Sequence, residues 1–392
     1  MAGQARRSAG ARPRGFATRA IHEGQAPDPL TGAVTVPIYQ TSTFAQRAPG
    51  VHRGYDYSRT DNPTRTALQK ALASLEGGRH ALAFSSGMGA ATTLMLSLRK
   101  GDHVVSARDV YGGTYRLFEQ VLRPFGLRFT FVETSDARRI ERAVTRRTTV
   151  VWIESPTNPL LRITDLERAA EIAHGAGALC VVDNTFASPF FQRPLALGAD
   201  VVLHSTTKYL AGHADVVGGA LCVDDPALYG RLKFLQNAVG ATPGPLDCWL
   251  TLRGLKTLAY RMQAHERNAM RVATFLEAHP RVKRVHYPGL PSHAGHDVAR
   301  RQMSGYSGMV SFEVKGGLRE ARRALGRMRL FKTAESLGGV ESLVELPAIM
   351  THASIPKAER EKAGLDDGLI RLSVGVEDGD DLLEDLRRAL LR

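Results

Sequence analysis

Short apolar runs recur at similar intervals through the middle of the chain, at residues 103–106, 129–132, 150–153, 179–182 and 201–203, with helix-like segments between most of them. Runs of this length suit buried strands. Their alternation with helical segments leaves few architectures open, and it predicts an α/β fold with a largely parallel sheet covered on both faces. Ligands of such sheets gather beyond the carboxyl ends of the strands. The residues that follow three of the runs are polar: Glu154-Ser155-Pro156, Asp183-Asn184-Thr185 and His204-Ser205-Thr206-Thr207-Lys208.

The flanking segments read differently. Asn62 is placed to cap a helix that starts at Pro63, presents Leu68, Ala71, Leu72 and Leu75 on one side, and stops at Gly77-Gly78. Beyond about Leu258 a long helical stretch, residues 260–279, leads to strand-like runs at 282–285, 309–314 and 369–374 and to a closing helix over 380–391. With 392 residues, more than a single core normally serves, the chain divides into a tail and arm (1–59), a large domain (60–258) and a smaller α+β domain (259–392). The arm is expected to reach a neighbouring subunit.

Charge needs one comment. The formal charge of +13 is compatible with nucleic-acid binding, yet the arginines are scattered among acids, as in the helical stretch 136–147, without an interleaved basic and aromatic patch. Neither a nucleic-acid partner nor a membrane is expected, since no apolar stretch is long enough to span. The first 22 residues contain arginines and no acid, a transit-like composition that lacks a secretory apolar core. A mobile tail up to about residue 15 is the expectation. Cys180, Cys222 and Cys248 show no metal-ligand spacing and read as buried thiols of a reduced, cytoplasmic protein.

The chemistry is carried by Lys208 and Asp183. Lys208 is the only lysine between Lys100 and Lys233, and an apolar run delivers it into a cluster of hydroxyls and glycines. A lysine amine condenses with the aldehyde of pyridoxal phosphate, and a carboxylate at another strand end keeps the pyridine nitrogen protonated. The competing reading of either residue alone is a surface lysine or a turn aspartate. Ser85-Ser86-Gly87-Met88-Gly89, between an apolar run and a helical one, offers free N–H groups to a phosphate, with Ser205 and Thr207 as further donors; an ordinary tight turn would look the same. Tyr111 follows a strand and can stack on the pyridine ring, its phenol serving in proton transfer if a cation lowers its pKa. Arg371 interrupts a strand-like alternation. A buried arginine needs an anion, either a substrate carboxylate or a structural partner.

Eight motifs together resemble the transsulfuration enzymes of cysteine and methionine metabolism. They are Tyr57-Ser58-Arg59 with Asn62-Pro63-Thr64, Ser85-Ser86-Gly87-Met88, Val110-Tyr111-Gly112-Gly113-Thr114, Glu154-Ser155-Pro156-Thr157-Asn158-Pro159, Val182-Asp183-Asn184-Thr185-Phe186, Ser205-Thr206-Thr207-Lys208-Tyr209, Ser336-Leu337-Gly338-Gly339-Val340-Glu341-Ser342 and Met350-Thr351-His352-Ala353-Ser354. The resemblance implies fold type I of the pyridoxal-phosphate enzymes, the aspartate aminotransferase-like fold, in a homotetramer of dimers that share active sites. By position it assigns Lys208 to the cofactor, Asp183 to its ring nitrogen and Tyr111 to its face. Gly87, Met88, Ser205 and Thr207 take the phosphate, with Tyr57 and Arg59 from the adjacent subunit. Arg371, Asn158 and Ser342 take the substrate carboxylate, and Arg116 and Glu341 face the distal part of a sulfur amino acid. Asp61 departs from the glycine common before Asn-Pro in that family.

Within the family, Gly113 stands where methionine γ-lyases usually carry cysteine. The cystathionine β-lyases typically have an aromatic residue near Val340. The run Glu345-Leu346-Pro347-Ala348-Ile349-Met350-Thr351-His352, with residues 235–237 and 247–248, is more similar to the γ-lyases than to the γ-synthases. The implied reaction is α,γ-elimination of L-cystathionine, with γ-replacement on an acylated homoserine as the alternative.

Overall fold

The computed structural model describes residues 14–353 and 357–391. The mobile tail expected up to about residue 15 falls almost wholly outside that range, as does Ser354 at the end of one motif.

The strands of the larger sheet are β1 (His80–Phe84), β2 (His103–Ala107), β3 (Arg128–Val132), β4 (Thr148–Glu154), β5 (Leu179–Asp183), β6 (Val201–His204) and β7 (Gly219–Val223). They lie in the order β1-β7-β6-β5-β4-β2-β3. From β6 to β3 every pairing is parallel, because a crossover segment separates each strand from its neighbour. β7 runs antiparallel between β1 and β6. It was not expected from the sequence, because the short Gly219–Val223 run follows the Lys208 loop with no helix between.

Register fixes the chemistry. Glu154 on β4 pairs with Asp183 on β5, which in turn pairs with Leu203 on β6, so two carboxylates stand side by side at the edge where the Lys208 loop begins. Val104, Trp152, Val181 and Val201 are fully buried on one face, and Val105, Ile153, Cys180 and Val182 on the other. Each such aliphatic side chain contributes roughly 1.5–3 kcal/mol relative to exposure, so this polar edge rests on a two-sided core.

The second sheet comes wholly from residues after 258: β8 (Val282–His286), β9 (Met309–Val314), β10 (Lys332–Thr333), β11 (Leu343–Glu345) and β12 (Leu369–Ser373), in the order β10-β11-β12-β9-β8. The helix Leu258–Glu277 bonds to both units. Arg261 donates from Nη1 to the carbonyl of Tyr209 and from Nη2 to that of Gly254, each at 2.7 Å, while His265 Nδ1 lies 2.7 Å from the Val374 carbonyl oxygen. The Tyr209 hydroxyl accepts the Gly308 N–H at 3.1 Å. The segment next to Lys208 is thereby fastened to the second sheet.

Helix Pro63–Glu76 starts as its sequence dictates, with the Asn62 side chain accepting from Thr64 N and Gly77 closing it at φ 81°. The helix expected over 136–147 is shorter, Ala137–Ala143. Thr148 Oγ1 accepts the Thr145 N–H at 2.7 Å and turns the chain into β4. Within the supposed tail, Phe16–His22 is helical, with Ala20 buried and Arg19 bonded to the Ser74 carbonyl. The three cysteines are free and buried. No helix among the described residues is long and apolar enough to cross a membrane.

Candidate active site

A cavity of about 340 Å³ lies at the carboxyl edge of the larger sheet. Gly87, Met88, Tyr111, Asn158, Asp183, Ser205, Thr207, Lys208 and Arg371 all line it. Nine of the fourteen residues singled out in the sequence thus meet in one place, drawn from the start of the helix Gly87–Met95, the end of β5, the segments that follow β2, β4 and β6, and β12.

Lys208 is the centre. Its Nζ donates to Ser336 Oγ at 2.7 Å, and Ser336 holds φ at 89°, a left-handed conformation that costs a residue with a Cβ on the order of 1 kcal/mol or more. Burial pushes the Lys208 amine down to about 8. Arg371 adds to the fall, while Glu345 and Glu335 oppose it. An amine with that pKa is partly neutral near neutral pH, as a nucleophile or proton acceptor requires.

Asp183 accepts the Thr185 N–H at 3.0 Å. Burial pushes its carboxyl up, against the hydrogen bonds from Thr185. Glu154, one strand away, is pushed well up by burial and then by the charge on Asp183. Its carboxylate has a structural task, for Oε2 accepts Tyr111 N–H at 2.9 Å and Oε1 accepts Asn158 N–H at 2.7 Å. One buried glutamate therefore places both the ring-stacking candidate and the carboxylate-binding candidate.

Tyr111 depends on Gly113. A Cβ at residue 113 would stand 2.5 Å from Tyr111 Cε1, so the ring lies where any larger residue would push it aside. Burial raises the Tyr111 phenol pKa, and Arg116 and Arg371 only partly offset the rise. The lowered phenol considered from the sequence is not what the surroundings produce, because desolvation outweighs the two cations.

Helix Gly87–Met95 begins at this cavity, capped by the Ser86 side chain, which accepts from Gly89 N. A Cβ on Gly87 would come within 3.0 Å of Ser205 Cβ. The absence of a side chain lets the helix start and the Ser205–Lys208 loop close on the same point, leaving backbone N–H groups and hydroxyls beside each other. Thr207 Oγ1 also accepts the Gly218 N–H at 2.9 Å.

Arg371 is 2% exposed. Nη1 donates to Asn158 Oδ1 at 2.7 Å and Nη2 to the Ser336 carbonyl at 2.9 Å. Glu345 Oε2 also lies 2.9 Å from Nη2.

The other five candidates are not in the lining. Ser342 is buried in a turn, where its hydroxyl donates to Glu377 Oε2 at 2.9 Å and accepts the Gly375 N–H at 2.8 Å. Glu341 and Arg116 are exposed. Tyr57 and Arg59 sit on the arm, the guanidinium 5.6 Å over the ring and its Nη1 bonded to the Asn237 carbonyl at 2.9 Å. Several lining residues were assigned no role from the sequence, among them Glu154, Thr185, Glu335, Ser336 and Thr351. Glu154, Thr185, Ser336 and Thr351 stand inside the motifs, whereas Glu335 stands outside them and had no signal of its own.

These residues fit pyridoxal phosphate. A lone lysine amine, a buried carboxylate, an accessible aromatic ring and a helix start shaped by Gly87 stand around one cavity, and each answers a separate part of that cofactor. No group of three or more metal-ligating side chains exists among the described residues.

The relatives agree with the geometry. The chain is 57% identical over 375 residues to a cystathionine β-lyase of Coxiella burnetii, covering 95% of this chain and 97% of that protein. It is 54% identical over 374 residues to a cystathionine γ-lyase of Dictyostelium discoideum, covering 95% and 97%. The solved structure of a cystathionine γ-lyase from Lactobacillus plantarum complexed with L-serine superimposes with a TM-score of 0.94 at 47% identity, over 96% of this chain and 98% of that one. Residues 17–391 match the family model described as Cys/Met metabolism PLP-dependent enzyme. With Lys208, Asp183 and the start of the helix Gly87–Met95 at one cavity and the match running almost end to end, the chain belongs to the pyridoxal-phosphate-dependent enzymes of cysteine and methionine metabolism.

Proposed function

We propose that the protein is a cystathionine γ-lyase, which cleaves L-cystathionine by α,γ-elimination into cysteine, 2-oxobutyrate and ammonia. The observation that carries the reading is Lys208 held in one cavity with Asp183 and with the buried guanidinium of Arg371. That arrangement suits an α-amino acid whose Cα proton must be moved.

Pyridoxal phosphate, when bound, supplies the electron sink that tolerates negative charge at the substrate carbon. The chain's residues do the rest. Lys208 would hold the cofactor, and its buried amine can take the Cα proton. Asp183 would pair with the ring nitrogen and favour its protonated form, a cation that would also relieve the cost of a buried carboxylate. Gly87, Met88, Ser205 and Thr207 would bind the phosphate. Arg371 and Asn158 fix the substrate carboxylate and so orient the bond to be broken. Lys208 or Tyr111 returns a proton to the departing thiolate; the raised phenol pKa keeps Tyr111 in its proton-bearing form. Glu335, an exposed residue of the cavity lining, would face the distal end of the substrate together with Glu341 and Arg116.

Tyr57 and Arg59 serve the phosphate of a neighbouring subunit in this reading. Supporting it, neither lines the cavity of its own chain, and the arm exposes Leu30 at 90% and Val34 at 79%, apolar surface that a homotetramer would cover. The buried, unpaired cysteines support a cytoplasmic setting.

The β-lyase name of one relative makes β-elimination the second reading, with the γ-synthase reaction as the third. Purified protein is incubated with L-cystathionine, and separately with O-succinylhomoserine plus cysteine. Cysteine and 2-oxobutyrate are the expected products. Homocysteine and pyruvate would assign β-elimination instead, and efficient synthesis of cystathionine in the second incubation would assign the synthase.

A further inference from the structure

Arg371 and Glu345 are cross-strand neighbours on β12 and β11, 2% and 1% exposed, with Nη2 and Oε2 2.9 Å apart. Glu345 Oε2 lacks a well-aligned donor, so the contact is an ion pair rather than a directed hydrogen bond. The other oxygen, Oε1, accepts the Thr351 hydroxyl at 2.7 Å. Around the guanidinium, Nη1 and Nη2 are engaged, and Nε is buried with no hydrogen-bond partner among the described residues. One charged donor is therefore left over in a site that already contains its own carboxylate.

A buried guanidinium without a counter-ion is costly, and it draws in whatever anion is small enough to reach it. We propose that Glu345 is a positioning residue that acts as the resident counter-ion of Arg371, holding the guanidinium neutralised and aligned for an incoming α-carboxylate while simple anions gain too little to compete. The inference rests on Arg371 as the carboxylate anchor of the proposed lyase. A substrate carboxylate shares the guanidinium with Glu345 and is compensated by Asn158 and by its own amino group at the cofactor. Acetate has no amino group and meets an arginine whose charge is already balanced. Thr351 maintains the geometry, because its hydroxyl keeps Glu345 from following the substrate.

The test uses acetate as the probe on holoenzyme. Glu345→Gln removes the charge and preserves a side chain that Thr351 can still bond. Acetate is expected to inhibit this variant competitively, with a Ki at least about tenfold below that of the parent, and to raise its melting temperature while leaving the parent's unchanged. Glu345→Asp retains the charge and should restore the parent's indifference to acetate. If Glu345→Gln does not fold, Thr351→Val keeps the carboxylate but frees it, and its acetate sensitivity should lie above the parent's. Equal acetate sensitivity of the parent and of whichever variant folds would overturn the proposal, since it would mean that Glu345 carries no charge that matters to Arg371. The melting measurement needs no substrate, so a protein inactive on L-cystathionine would sink the lyase reading and leave the role of Glu345 separately decided.

Discussion

Lys208, just after β6 of the larger sheet, reaches Ser336, between β10 and β11 of the smaller one, its Nζ donating to Ser336 Oγ at 2.7 Å. The amine that would carry the cofactor is thus steered by a hydroxyl from the segment between two strands of the other sheet. Ser336→Ala is expected to leave cofactor loading intact and to lower kcat several-fold, because the amine loses its orientation rather than its nucleophilicity. Lys208→Ala should abolish turnover and the fixation of cofactor by borohydride. Peptide mapping after reduction reads both variants, and label found on any other lysine would contradict the assignment.

Arg371→Lys keeps the charge and removes the planar fork that now engages Asn158 and Ser336. We expect KM for L-cystathionine to rise about 10- to 100-fold, corresponding to the roughly 1.5–3 kcal/mol of a charged hydrogen bond. The change in kcat should be smaller. Steady-state kinetics separate the two, and a fall in kcat alone would place Arg371 outside substrate binding.

The depressed amine of Lys208, about 8 against about 10.4 for an ordinary lysine, makes the cofactor-free protein sensitive to pH. Between those values the unfolded chain holds a proton that the folded one has released, so stability rises with pH across the window. The penalty is complete below about pH 8 and absent above the ordinary value. Lys208→Met should therefore stabilise the cofactor-free protein at pH 7, by something on the order of 3 kcal/mol, and do little at pH 10.5. Urea unfolding at the two pH values checks this, and a variant no more stable at pH 7 would refute it.

Asn62 caps the helix Pro63–Glu76 through Oδ1 and holds the arm through Nδ2, which donates to the Tyr39 carbonyl at 2.9 Å and to Ser58 Oγ at 3.1 Å. Asn62→Ala is expected to cost about 1–2 kcal/mol and to loosen residues 39–58. A lowered melting temperature with earlier proteolysis in the arm would show it; unchanged cleavage there would argue that the arm is held by other contacts.

What the sequence disclosed, it disclosed through local patterns. The runs ending at Glu154, Asp183 and His204 could be read because buried parallel strands are short and apolar, and the Asn62-Pro63 cap because its chemistry is local. The Gly219–Val223 strand was hidden by the lack of an intervening helix. Ser336 and Glu335 reach the cavity only through tertiary contacts between a segment of the smaller sheet and the Lys208 loop, which no spacing within residues 332–345 reveals. Ser342, given a substrate role by resemblance, bonds to Glu377, 35 residues further on, a contact that no local pattern announces. The protonation of Tyr111 was equally out of reach, since it depends on how much water the fold removes.

The three cysteines have one last implication. Burial pushes the thiols of Cys180 and Cys248 up to about 12 and that of Cys222 well above the usual thiol value, so almost none of their sulfur is present as thiolate at neutral pH. A catalyst that discharges a free sulfhydryl compound at every turnover would otherwise accumulate mixed disulfides on its own surface as that compound oxidises. With its cysteine sulfur sealed and protonated, this protein is expected to retain its intact mass through long exposure to cystine, which mass spectrometry checks.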